Sequence, residues 1–127
     1  MIDIAEIKNP YVMAAIAILK RQEPPSAGEI KEVVSKICNV SIAQIDCRRD
    51  RRFDVVLARH LCYKVYRESN YKVSLKEIGL AINGYDHTSV IHGIRTITDR
   101  IETDDHVRGL YERVLNKLRI EGSIKYN

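Results

Sequence analysis

Apolar residues recur along most of this chain at the three-and-four spacing of a helix, and they never alternate with polar ones between hairpin turns. Asn9-Pro10 supplies a cap and a first-turn proline for an opening helix that reaches roughly Gln22. That helix is apolar almost all round from Tyr11 to Leu19, so it needs burial on more than one side. Glu23-Pro24-Pro25 breaks the pattern, and Ser26 with Glu29 then forms a capping box. Ile30, Val33, Val34, Ile37 and Cys38 follow on one helical face. Ser41 with Gln44 caps a short helix ending near Asp46. A longer helix runs from about Arg52 to Ser69, with Phe53, Leu57, Leu61 and Val65 as its buried stripe, widened by Ala58 and Cys62. The last helix, about Asp104 to Ile120, buries Val107, Leu110, Tyr111, Val114 and Leu118. The chain therefore reads as all-α, a single small domain of about six helices. Residues 1–25 form an opening helix and proline linker, and residues 26–127 form the domain proper.

The segment Ser74–Ile101 carries the most information. Ser74 and Glu77 make another capping box, and Leu75, Ile78, Ala81 and Ile82 give the helix one buried face. Asn83-Gly84 stops it, since both residues tolerate positive φ. Asp86 is a natural N-cap for the next helix, whose core stripe is Val90, Ile94, Ile97 and Ile101. The opposite face carries Thr88, His92 and Arg95, with Ser89 and Thr96 beside them. Two short helices joined by a tight turn, the second opening on small polar side chains, have the shape of a helix-turn-helix that enters the DNA major groove.

Composition narrows this further. The chain has 127 residues, 45% apolar and 30% charged, an ordinary balance for one globular domain. Lys and Arg exceed Asp and Glu by 21 to 17, so distribution matters more than the net +4. Arg48, Arg49, Arg51 and Arg52 fall together, with Arg59 following, while Asp99, Glu102, Asp104 and Asp105 gather at the far end of the recognition helix. One end of the molecule is expected to be basic and the other acidic. Beside a helix-turn-helix, the basic end suits phosphate. Cys38, Cys47 and Cys62 lack metal-site spacing, and Cys38 and Cys62 fall on apolar faces as buried reduced thiols. His87 and His92 are off a common helix face, so no metal is expected. His60 near Cys62 has no oxyanion or cofactor loop, and neither catalysis nor a cofactor is expected. With no signal segment, and an apolar run at Tyr11–Leu19 too short to span a bilayer, a cytoplasmic protein is expected.

Gly79, Asp86-His87-Thr88-Ser89-Val90 and Arg95 resemble the signature of the C-terminal DNA-binding domain, domain IV, of the bacterial replication initiator DnaA. The similarity extends upstream through Ile30–Ile45, the cluster Arg48–Arg52 and the helix around Arg59–Tyr66, and fades after about Leu118. The resemblance implies sequence-specific binding of double-stranded DNA, at replication-origin or regulatory sites. It assigns base reading to Asp86, His87 and Thr88. It assigns backbone contacts to Arg48, Arg49, Arg51, Arg52 and Arg59, to Lys72, Ser74 and Lys76 at the first helix of the motif, and to Ser89, His92 and Arg95. Two positions depart from the family. The arginine that the family places in the minor groove aligns close to Leu57, with Arg52 and Arg59 as nearby replacements, and Tyr85 stands where a basic residue is usual. No G-x-x-x-x-G-K-[ST] phosphate loop occurs, so the expectation is a free-standing DnaA-like protein without ATPase activity, with an excised domain as the alternative. The alternative is a protein–protein adaptor or transcription regulator on the same fold, partnered or self-associated through the helix over 10–22.

Overall fold

Helix starts in this protein are set by short polar side chains that satisfy the first free amides. The computed structural model describes residues 24–70 and 72–124. Among them are α1 (Ala27–Cys38), α2 (Ile42–Asp46), α3 (Phe53–Ser69), α4 (Leu75–Ile82), α5 (His87–Thr103) and α6 (Asp105–Ile124), with no strand among the described residues. The expected opening helix at 9–22 lies outside them. Ser26 Oγ accepts from Glu29 N at 3.1 Å to start α1. Ser41 and Gln44 cap α2 reciprocally, at 3.0 and 2.7 Å. Ser74 Oγ accepts from Glu77 N at 3.1 Å, and Asp104 Oδ1 from His106 N at 2.9 Å. α3 alone begins without a side-chain cap, on Arg52.

α3 is the hub, packing against α1, α2, α4 and α5, while α6 closes the far side against α1 and α5. Its central turns are buried on several sides through Val55, Leu57, Ala58, Leu61, Cys62 and Val65. Ile30 and Val34 of α1, Ile45 of α2, Ile78 of α4, Val90 and Ile97 of α5, and Val114 and Leu118 of α6 complete the core at 0% exposure. Each such side chain contributes roughly 1.5–3 kcal/mol of burial. The expected stripes of α1, α4, α5 and α6 all face this core, with Ile37, Cys38, Leu75 and Ile94 at its margin.

Two local expectations are corrected. Phe53 does not join the α3 stripe: it is the first residue of the helix, at the rim of an open cavity between α1 and α6, and is 62% exposed. Val55 takes the inward position instead. At the α4 stop, Gly84 alone adopts positive φ (+81°), while Asn83 keeps φ at −153°. Among the described residues, the left-handed non-glycine residue is Asn39, at the end of α1 with φ 57°. Among the thiols, Cys62 is fully buried and pushed up by burial, and Cys38 is raised to about 11 by the same cause. Cys47 is exposed.

Gly79 lets α4 meet the turn that follows it. A Cβ there would collide with the Tyr85 carbonyl oxygen and press on Val90. Gly109 of α6 has open space around it. Gly79→Ala is therefore expected to destabilise the fold by about 3 kcal/mol, since backbone must shift. Gly109→Ala should stabilise it by up to about 1 kcal/mol through helix propensity. Thermal denaturation of both variants checks this; equal melting temperatures would refute the close contact.

Candidate nucleic-acid interface

The arginine loop between α2 and α3 is held from inside. Arg59, on the second turn of α3, is only 3% exposed. Its Nε donates to the Ile45 carbonyl at 3.0 Å, Nη2 to Cys47 O at 2.8 Å, and Nη1 to Asp50 O at 3.3 Å. A planar guanidinium with five donors suits such a fan of carbonyls, whereas a lysine would satisfy fewer. Arg59, expected among the backbone contacts, has its donors turned onto these carbonyls, where they close the loop.

With the loop's carbonyls gathered inward, Arg48, Arg49, Arg51 and Arg52 are all exposed. Arg52 is paired: its Nη2 and Nε meet the Asp50 carboxylate at 2.6 and 3.1 Å. Those hydrogen bonds, side chain before backbone, hold Asp50 at about 2. Among the described residues, Arg49 and Arg51 form no ion pair within 4.0 Å. Asp50 in the middle of the Arg-Arg-Asp-Arg-Arg run was the legible signal that not every arginine there is free to meet a ligand.

The helix-turn-helix is α4 and α5. Asn83 N and Gly84 N both bond the Gly79 carbonyl, at 3.1 and 2.7 Å, and tighten the turn. Asn83 Oδ1 accepts from the Tyr63 hydroxyl at 2.7 Å, which pins the turn to α3. Asp86 caps α5, its Oδ1 accepting from Ser89 N at 2.9 Å. That bond, with the Ser89 side chain second, holds the Asp86 carboxyl below its ordinary range. His87 and Thr88 follow it and are exposed, as are His92 and Arg95 further along, while Ser89 is half-buried. Ser74, Lys76 and Lys72 stand exposed at the α4 start.

Tyr85 joins the two halves. Its hydroxyl donates to the Arg48 carbonyl at 2.6 Å. The Arg48 and Arg59 guanidinia lie 4.6 and 5.6 Å from its ring centroid, within cation–π range. Tyr85 thereby fastens the recognition turn to the arginine loop. Open grooves flank the turn on either side. One, of about 510 Å³, runs between Arg48, Lys76, Leu80 and His87. The other, of about 380 Å³, runs between Arg51, His60, Ser89 and His92. Burial, with His92 next, pushes the His60 imidazole down to about 4, so it lines that groove as a neutral ring. Leu57 is 7% exposed and belongs to the core.

The elements thus present a polar recognition turn and a basic loop, joined through Tyr85, as one surface. The profile described as bacterial dnaA protein helix-turn-helix matches residues 27–97, from α1 into the core half of α5. The chromosomal replication initiator protein DnaA of Oenococcus oeni is 34% identical over 101 residues, covering 80% of this chain and 22% of that protein. DnaA of Chloroflexus aggregans is 35% identical over 98 residues, 75% of this chain and 20% of that protein. DnaA of Thermomicrobium roseum is 27% identical over 117 residues, 85% and 24% respectively. The chain belongs to the bacterial DnaA helix-turn-helix family, and it spans about a fifth of the length of the curated relatives it matches. Among the described residues there is no helix long and apolar enough to cross a membrane, and no cluster of three potential metal ligands.

Arg59→Lys is expected to lower stability by about 3 kcal/mol, because loop carbonyls lose donors and a charge stays buried. Arg51→Ala, at the exposed face of the same loop, should change it by no more than about 0.5 kcal/mol. Urea denaturation measures both; equal effects would place Arg59 at the surface.

Proposed function

We propose that this chain binds duplex DNA through the α4–α5 helix-turn-helix, without nucleotide hydrolysis, as a cytoplasmic protein. Asp86, His87 and Thr88 meet base edges in the major groove. A carboxylate accepts from cytosine N4, and a threonine methyl packs on the thymine methyl. Asp86 keeps its capping bond to Ser89 N with one oxygen and has the other for a base. Arg48, Arg49 and Arg51 grip phosphates from the loop, Lys72, Ser74 and Lys76 from the α4 start, and Ser89, His92 and Arg95 from α5. Arg52 joins them once its exposed pairing with Asp50 is exchanged for phosphate.

The observation that carries the proposal is the fastening of the exposed recognition turn to the exposed arginines by Tyr85 and Arg59. Base-reading and phosphate-gripping groups are set at a fixed distance before any DNA arrives, which lowers the ordering cost of binding. The relatives named replication initiators suggest that the site is a DnaA box, at an origin or a regulatory region. A protein of this kind would occupy initiator sites and modulate replication or transcription.

Fluorescence anisotropy with labelled duplexes, one carrying a DnaA box and one scrambled, tests this at two salt concentrations. With five or six phosphate contacts, log K should fall with log salt at a slope near about −5. Arg49→Ala should weaken both duplexes and flatten the slope by about one unit, while His87→Ala should remove about 1–3 kcal/mol of discrimination between them. Absence of binding at low salt would instead favour the protein–protein adaptor.

A further inference from the structure

Phe53 opens α3 with its side chain 62% exposed. Arg100 lies 4.6 Å from the ring centroid and covers one face by a cation–π contact. The ring also lines an open, mostly apolar cavity of about 270 Å³, whose walls include Ile37 of α1, Leu57 of α3 and Leu110 of α6. His106 and Arg113 of α6 stand at the same cavity. Apolar surface gathered in a hollow with a polar rim marks a docking place, unlike single apolar residues scattered over a surface.

The chain carries its own occupant for that place. Tyr11–Leu19, outside the described residues, is an unbroken run of apolar side chains that needs burial on more than one side. It joins the domain through Lys20–Glu23 and Pro24-Pro25. That junction is anchored: Pro25 is buried, and its carbonyl accepts from Asn70 Nδ2 at 3.2 Å, at the end of α3. From there α1 runs 12 residues, about 18 Å, to the cavity. Tyr11–Leu19 extends about 13 Å as a helix, and Lys20–Glu23 adds up to about 13 Å more. The segment is therefore long enough to reach the cavity by turning back along α1. In that direction acidic Asp3 and Glu6 come to the end where His106 and Arg113 stand, and Lys20 and Arg21 stay at the junction. So short a tether gives a roughly millimolar effective concentration, well above that of a second copy in dilute solution.

We propose that Tyr11–Leu19 folds back along α1 of its own chain and covers this cavity, with Tyr11 and Val12 against the open side of Phe53. The cover lies on the face bounded by α1, α3 and α6 and leaves the α4–α5 turn free. It gives the apolar segment an intramolecular role, as the missing wall of this domain. The inference stands apart from the duplex-binding reading and does not depend on it.

Phe53 is the chain's single phenylalanine, so para-fluorophenylalanine labelling gives one fluorine NMR resonance. The full chain is measured in light and heavy water, folded and in urea. The folded chain should show only a small part of the solvent-isotope shift of the unfolded chain, and dilution should not change it. Ile16→Asp should restore most of that shift while circular dichroism shows the domain still folded. In the unaltered protein, nuclear Overhauser effects should join the Phe53 ring to side chains of Tyr11–Leu19, a result independent of how Ile16→Asp folds. A folded-chain shift near the unfolded value would overturn the proposal, and so would absence of those Overhauser effects. Shielding lost on dilution would give the cavity to a second copy, and shielding that survives Ile16→Asp would give it to another element. Either result refutes the fold-back.

Discussion

A buried guanidinium organises this molecule. Arg59 leaves solvent almost entirely and does so next to the end of α2, where the carbonyls of Ile45, Cys47 and Asp50 accept from it. A buried cation without partners is strongly destabilising, and these carbonyls supply them. Joined, they fold the Cys47–Arg52 segment back over α3 and leave the loop's own arginines no place but the surface. Tyr85 extends the same constraint to the recognition turn, since its ring lies against Arg59 and its hydroxyl bonds the loop backbone. A loop that would otherwise be flexible becomes a rigid part of the helix-turn-helix.

That arrangement separates two kinds of work. The α5 start, capped by Asp86, carries groups suited to base edges, and the α2–α3 loop carries charge suited to phosphate. The far end of α5 is acidic at Asp99 and Glu102, and α6 opens on acidic Asp105, so a polyanion is favoured at one end of the molecule and disfavoured at the other. Membership of the DnaA helix-turn-helix family implies DNA binding, while Leu57 belongs to the core and Tyr85 to the tie between turn and loop.

Much of this was legible from residue order alone, because caps and apolar periodicity are local. Ser26, Ser41, Ser74 and Asp86 start helices where their side chains predicted, and the stripes of α1, α4, α5 and α6 face the core. What was not legible depends on distant partners. Arg59 reads as one more basic residue near a cluster; its burial follows from carbonyls up to 15 residues away that fold over it. Phe53 reads as core by spacing, yet at the first position of α3 its ring stays mostly exposed while Val55 turns inward. Tyr85 reads as a lost charge, and only the packed turn reveals it as a tie between elements.

The most direct test of duplex binding by this assembled surface is a backbone-amide NMR titration with a box-containing duplex. Binding through the recognition turn and loop should move the resonances of Arg48–Arg52 and Asp86–Ser89 together, in one exchange process, and leave α1 and the acidic start of α6 unmoved. Shifts confined to α1 and α6, or movement of the loop without the turn, would contradict a single preorganised DNA face.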